Sequence, residues 1–430
     1  MSPNCTNPNC RSDHGASTAL GRRQMLRLAF GCGAAITIGS RAQAAPRQDA
    51  DLFDPPALFD WGNPGRLSAR AIALVETTNT IDMLCQMRNS LVVRGEPNNM
   101  EMVTRRFRQW FDDPSSIRHN DLRRYFLSGI DVIHYGTDMS SILNIPEAFD
   151  RAEWFYRGFH RIVETHPDWF SLVLNPSDLA ANRHLGKIKI ILGMQNGDHF
   201  RTPADVAHFH GLGQRVSQLT YNRENALGGG AFSQVGLKPY GRDVIRAMNA
   251  AGMVLDLAHS NAQTALEACA ETEVTPIISH TNCRALNAGF DRAMPDEVIR
   301  AFAAKGGVIG VTVVRQFVSP NEPTTIEDFL NHIDHIVNLV GVEHVGIGND
   351  NDLSALDGVD PEAQRAAFAA PGQAQYRWRE RTEIDGLDHP RRFYDICEGL
   401  VRRGYSDEHI RLVLGGNWER VLTHIWTTRA

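Results

Sequence analysis

Three apolar runs of this chain each end on a side chain that can bind a metal or move a proton: Met253-Val-Leu-Asp-Leu-Ala-His259, Thr275-Pro-Ile-Ile-Ser-His280 and His344-Val-Gly-Ile-Gly-Asn-Asp350. Imidazole nitrogen and carboxylate oxygen are the usual ligands of catalytic zinc, and the cation lowers the pKa of a bound water to near neutrality. A lone strand-end histidine is more often structural than functional. Two on successive strand-like segments, with an aspartate on a later one, point to groups gathered at one rim.

Such groups meet only if the segments lie side by side and run the same way. Strand-like runs cover Asn79 to Leu84, Gly129 to His134, Lys187 to Met194, Arg215 to Thr220, Met253 to Leu257, Thr275 to Ser279, Gly307 to Val313 and His344 to Gly348. Amphipathic stretches such as Tyr240 to Ala251 and Pro295 to Lys305 separate them. That alternation predicts an α/β chain with a parallel sheet, and eight strands close a (β/α)8 TIM-type barrel. The barrel is expected over residues 71–430. A rim insertion at about 351–390, rich in Ala, Gly, Pro and charge, reads either as a lid or as a surface insertion. Gly228-Gly229-Gly230 reads as a mobile turn, lacking the lysine and spacing of a phosphate loop. His208, His210, His332 and His335 fall in helix-like or loop contexts and are expected to be solvated or capping.

The first 44 residues read differently. Gly21-Arg22-Arg23-Gln24-Met25-Leu26-Arg27, a moderately apolar stretch to Gly39, and Ala42-Gln43-Ala44 form the pattern of a twin-arginine export signal. The apolar stretch is too short and too rich in Gly and Ala for a membrane span, so the mature chain is expected to lack one. The expected destination is periplasmic or secreted, reached by the twin-arginine route, with any metal loaded before export. Residues 45–70, rich in proline and polar groups, read as an N-terminal arm. Of 7 cysteines, Cys85, Cys269, Cys283 and Cys397 lie beyond the signal, with no CxxC pair; buried thiols are expected, with one disulfide left open. A net charge of -6 gives no electrostatic reason to expect nucleic acid, so the expected partner is a small molecule.

At the level of motifs, the chain resembles the renal, or membrane, dipeptidases, zinc metallopeptidases with a barrel related to amidohydrolases. The resemblance rests on Gly236-Leu-Lys-Pro-Tyr-Gly241-Arg-Asp-Val-Ile-Arg-Ala-Met-Asn249, Gly252-Met-Val-Leu-Asp256-Leu-Ala-His259-Ser260, Ser279-His280 and Arg292-Ala-Met-Pro295-Asp296. Further matches are Gly346-Ile-Gly-Asn-Asp350-Asn-Asp352 and, after Arg403-Gly404-Tyr405-Ser406, the closing Gly415-Gly416-Asn417-Trp418-Glu-Arg420-Val421-Leu422. The resemblance implies that His259 and His280 serve one zinc position, that Asp350 is the acid/base and that Arg292 holds the substrate carboxylate. It also makes a homodimer an expectation.

The first strand departs from the family. Where the family has Asp-Gly-His-Asn-Asp, this chain has Asp82-Met83-Leu84-Cys85-Gln86; the bridging glutamate of Gly-x-Glu-Gly becomes Gln195 in Gly193-Met194-Gln195-Asn196-Gly197. The histidine of the family's Thr-His-Asn becomes Tyr221, placed to contact substrate. Losing a His, an Asp and a Glu removes two negative charges and the shared oxygen that two adjacent cations need, so a binuclear centre is not expected.

The expectation is thus an exported dipeptidase-like metallohydrolase acting on a dipeptide or other small amide or acyl substrate, carboxylate-bearing if Arg292 faces the pocket. It would use one ion, zinc or another divalent metal, on His259 and His280, with Asp350, Gln195 or water completing the shell. Cys85 is a soft-ligand candidate or a plain buried thiol. Two alternatives stand beside it: lyase or isomerase chemistry on the same barrel, and a barrel that binds a ligand without turning it over.

Overall fold

The computed structural model describes residues 66–87, 100–118, 122, 125–126, 128–137, 145–180, 187–353, 366, 369, 374–379 and 382–428. The stretch expected to be an export signal, most of the expected arm and much of the 351–390 segment lie outside the described residues. The strands are β1 (Ile81–Asp82), β2 (Cys85–Gln86), β3 (Val132–Gly136), β4 (Phe170–Leu172), β5 (Ile188–Met194), β6 (Gln214–Gln218), β7 (Val254–Asp256), β8 (Ile278–Thr281), β9 (Ile309–Val311), β10 (Val345–Ile347) and β11 (Asn351–Asp352).

One parallel sheet runs β1-β3-β5-β6-β7 and a second runs β10-β9-β8. Two seams join them into a ring. Leu257 N–H donates to Ile277 O and Ile277 N–H to Leu255 O, both at 2.9 Å, linking β7 to β8; Met83 N–H donates to Ile347 O at 3.0 Å, linking β10 to β1. Each of the eight runs expected from the sequence overlaps one of these ring strands, β3 and β8 reaching two residues further and β6 starting one residue earlier than expected, and the eight-stranded (β/α) barrel is the fold. Outside the ring, β4 pairs with β5 and the short β11 pairs with β2; both escaped the sequence reading because runs of two or three residues carry no measurable alternation.

The barrel floor is apolar. Ile81, Val132, Ile191, Val216, Val254, Ile277 and Val308 form one cluster with Trp418. On β10 the corresponding space is left by Gly346, where a Cβ would stand 2.3 Å from Trp418 Nε1; the indole also donates to Ile347 O at 3.2 Å. Trp418 in the closing Gly-Gly-Asn-Trp motif is therefore a plug, and that motif serves the fold rather than the rim.

Helix ends aim the strands. The helix Pro239–Ala251 begins on a proline, whose missing N–H is no loss in a first turn, and stops at Gly252, φ 71°, where the left-handed backbone turns the chain into β7. The helix Ile326–Val340 starts with a reciprocal cap between Thr325 and Asp328. No helix among the described residues is long and apolar enough to cross a membrane.

Two expectations are corrected and one open alternative is closed. Gly228-Gly229-Gly230 is a buried backbone crossing rather than a mobile turn: a Cβ on Gly229 would lie 2.0 Å from Val235 O and one on Gly230 2.2 Å from Tyr221 O, and Gly230 bridges to Ser260. His332 is buried, accepting from Cys283 N–H through Nδ1 at 3.0 Å and standing 2.8 Å from Val318 O, so it is neither solvated nor a cap. Cys85, Cys269, Cys283 and Cys397 are buried thiols, as expected, and no disulfide joins them.

Candidate functional site

His259 and His280 sit beyond the ends of β7 and on β8, with ring centroids 4.9 Å apart and planes at 64°. Both are buried, and neither Nε2 has a hydrogen-bond partner. Their Nδ1 atoms are occupied. His280 Nδ1 lies 2.7 Å from Ser279 Oγ, whose own proton goes to Asp256 Oδ2 at 2.5 Å, so Ser279 can only accept from the imidazole. His259 Nδ1 lies 2.7 Å from Asn222 Oδ1, an acceptor. Each ring is thereby held with its proton on Nδ1 and a bare lone pair on Nε2. Burial, then the nearby Arg292 guanidinium, pushes both imidazoles well below their usual pKa, which keeps them neutral and fit to ligate.

A third imidazole shares this pattern. His134, on β3, is buried with Nδ1 2.6 Å from Met83 O and Nε2 unpartnered. Burial lowers its pKa as well, outweighing the Met83 hydrogen bond and the field of Asp256. It occupies the space above Gly193, where a Cβ would fall 2.0 Å from Nε2.

Arg292 is buried. Its Nη2 donates to His280 O at 3.1 Å, while Nε and Nη1 have no partner. Of its acidic sequence neighbours, Asp296 pairs with His335 at 2.8 Å, and Arg292 turns inward. Burial lowers its pKa, and the field of Asp350 is the largest effect opposing that. Asp350 follows β10 with φ 56° and its N–H donates to Leu84 O at 2.8 Å. Tyr221 stacks on His259, 4.1 Å between centroids, with 38% of its surface exposed. Among the described residues, the non-glycine residues with positive φ are Asn196, His259, Asp350 and Arg377. Three follow strands β5, β7 and β10 at the rim, where left-handed backbone at a cost of about 1–3 kcal/mol each is typical of functional sites.

The vanished ligand positions are as apolar or neutral as their sequence implies. Leu84 is fully buried, and Gln86 is half-buried with an unpartnered Oε1. Gln195 is buried with Nε2 unpaired. Cys85 Sγ stands 3.8 Å from Gln86 O, a thiol against its neighbour's carbonyl. Among the described residues no three His, Cys, Asp or Glu side chains are grouped to hold a metal. Two neutral imidazoles on neighbouring strands, each with an orphaned Nε2, suit one cation, and the neutral Gln86 and Gln195 do not suit a second.

Two participants escaped the sequence reading. His134 closes the expected run Gly129 to His134 but stands mid-strand in β3, which runs on to Gly136, with Val132 and Gly136 on the same face. Tyr376, from the 351–390 segment, accepts a hydrogen bond from Asn222 Nδ2 and lies in the fields of Arg292 and Asp350. Burial raises its pKa and keeps the phenol neutral.

The family model for membrane dipeptidase (peptidase family M19) matches residues 69–360. Dipeptidase verJ of Clonostachys rogersoniana is 27% identical over 271 residues, 62% of this chain and 63% of its own length. An uncharacterized dipeptidase of Schizosaccharomyces pombe, C965.12, is 34% identical over 253 residues, 56% of this chain and 54% of its own. The chain thus spans less than two thirds of the length of these curated relatives. Among solved structures, an amidohydrolase from Pseudomonas aeruginosa superposes with a TM-score of 0.65 at 22% identity, over 83% of this chain and 99% of that one. The probable dipeptidase PvdM from the same organism superposes at 0.66 and 17% identity, over 85% and 100%. These structural likenesses speak for the fold.

Proposed function

The chain belongs to the membrane dipeptidase family, and from that premise we propose that it is an exported metallohydrolase that cleaves a dipeptide or similarly small amide through one metal ion. The observation that carries this reading is the pair of buried imidazoles of His259 and His280, 4.9 Å apart between ring centroids, whose Nε2 atoms have no hydrogen-bond partner. His259 and His280 would hold the ion, zinc or another divalent cation. When bound, zinc acts as a Lewis acid toward a carbonyl oxygen and lowers the pKa of water.

The remaining roles belong to the chain's own residues. Arg292 keeps two guanidinium nitrogens unpaired in a buried position, the arrangement that receives a substrate carboxylate as a planar, charge-assisted pair. Asp350, held at the rim by its N–H bond to Leu84, supplies the carboxylate that takes a proton and returns it to the leaving amine. Tyr221 walls the pocket over His259 and exposes part of its ring to an incoming ligand. A single ion, rather than two, follows from the neutral Gln86 and Gln195.

Export rests on Arg22-Arg23, the short apolar stretch and Ala42-Gln43-Ala44; replacing both arginines by lysine should hold the protein in the cytosol, and periplasmic or secreted recovery of that variant would refute the route. The activity is tested by metal analysis of the purified mature protein with a dipeptide and N-acyl amino acid screen in zinc, manganese and cobalt. About one ion per chain with chelator-sensitive hydrolysis is expected; absence of metal with chelator-resistant turnover would overturn the reading.

A further inference from the structure

Tyr376 lies 154 positions from Asn222 in sequence, yet its hydroxyl accepts a hydrogen bond from the Asn222 side-chain N–H. The segment that carries it is pinned on the rim. Tyr376 stacks on Trp378 at 5.2 Å and meets Phe232 edge-on at 5.4 Å; Arg377 donates to Gly289 O at 2.6 Å, and Arg379 to Ser319 O and Asn321 O, each at 2.8 Å.

The consequence is transmitted by the asymmetry of an amide. A primary amide has an acceptor end and a donor end, and its partners decide which way it turns. With Tyr376 Oη taking the Nδ2 proton, Oδ1 is the end presented to His259 Nδ1, 2.7 Å away. That end accepts only, so the imidazole proton stays on Nδ1 and Nε2 is bare. Reversed, Nδ2 would donate to Nδ1 and move the ring proton to Nε2, which abolishes it as a ligand. Tyr221, stacked on the same ring at 4.1 Å, opposes the alternative of rotating the imidazole.

We propose that Tyr376 is a positioning residue that fixes the Asn222 amide so that His259 offers its Nε2 lone pair to a bound cation. The part that concerns the cation rests on the reading that His259 and His280 hold one. Partners of this kind, one bond behind a ligand, are worth about 10–100-fold in metal affinity, and Tyr376 stands one bond further back.

The test uses the full mature chain labelled with 15N-histidine, read first without metal. In the wild type, His259 should appear as the Nδ1–H tautomer; in Tyr376→Phe it should become a mixture or the Nε2–H form. Zinc affinity, read by competition with a chromophoric chelator, should fall about 3–10-fold in Tyr376→Phe and about 10–100-fold in Asn222→Leu. The double variant should be no weaker than Asn222→Leu alone, because the tyrosine acts only through the amide. An unmoved tautomer with unchanged zinc affinity overturns the proposal, as does an equal loss from Tyr376→Phe in both backgrounds. If wild-type protein takes up no zinc while the tautomer still switches, the positioning of His259 stands and the metal reading falls. If zinc binds and the tautomer ignores Tyr376, the reverse holds.

Discussion

Asp256 takes the hydroxyl proton of Ser279 at 2.5 Å and its backbone N–H at 2.8 Å, one on each carboxylate oxygen. Ser279 is thereby left as an acceptor for His280 Nδ1 at 2.7 Å. Ser279→Ala removes the link while leaving the backbone bond. His280 should then exchange tautomers, and zinc affinity should fall about 10-fold. Folding stability should drop only by about 1 kcal/mol, the usual net worth of one hydrogen bond. Chelator competition and urea unfolding on the same preparation separate the two effects; unchanged affinity would show that the serine link does not orient His280.

The outline of this site could be read from the sequence because its ligands stand at strand ends. His259, His280 and Asp350 each close an apolar run, and eight runs at helix-length spacing leave one ring to build. Arg292 followed from its motif, but its burial did not, since a chain of flanking acids looks like a surface pair. His134 was passed over for a different reason: it also ends an expected run, Gly129 to His134, but it stands apart from the His259, His280 and Asp350 motifs, and the glycine it faces is known only once β3 and β5 are paired. Tyr376 could not be found at all by local reasoning. Its partner is brought to it only by closure of the barrel and the seating of a segment whose sequence shows neither period.

Arg292 carries two unpartnered guanidinium nitrogens in a buried position. A fixed charge there is costly without an anion, and a carboxylate substrate would supply it. Arg292→Met keeps the stem volume and removes the charge. Its thermal midpoint should stay level or rise, while kcat/KM for a carboxylate-bearing substrate falls about 100-fold, close to the worth of a charge-assisted bidentate pair. Amidated substrates should lose far less. Equal losses on acid and amide substrates would remove the arginine from the carboxylate site.

Asp82 is the fully buried partner of Asn349 at the β10–β1 seam, accepting from its N–H at 2.9 Å, from its side-chain N–H and from Leu84 N–H at 3.2 Å. Burial lifts its pKa from 3.8 to about 6, outweighing those donors. Below about pH 4 the carboxyl is protonated in both folded and unfolded chains and no penalty arises. Between about pH 4 and 6 the unfolded chain gives up the proton while the folded one keeps it, so stability declines with rising pH, by about 3 kcal/mol in all. Above that the penalty is constant. Asp82→Asn should flatten this part of the profile, as read by urea midpoints at several pH values; a variant profile parallel to wild type would assign the slope to other groups.

Gly193 and His134 share one volume. A Cβ at position 193 would stand 2.0 Å from His134 Nε2 and 2.9 Å from its Cδ2, and the ring cannot swing aside because Nδ1 is tied to Met83 O at 2.6 Å. Gly193→Ala must therefore break that bond or push strands β3 and β5 apart, and overpacking of this kind costs about 2–3 kcal/mol. His134→Ala alone should also destabilise, by leaving a cavity and an unpaired carbonyl. In the double variant the new methyl enters the space the imidazole vacates, so the combined loss should be smaller than the sum by at least about 1 kcal/mol. Urea unfolding of the two single variants and the double completes the cycle. Strict additivity would mean that the glycine is required by the strand itself, for instance at the register shift between Leu192 and Gly193, and not by the histidine it faces.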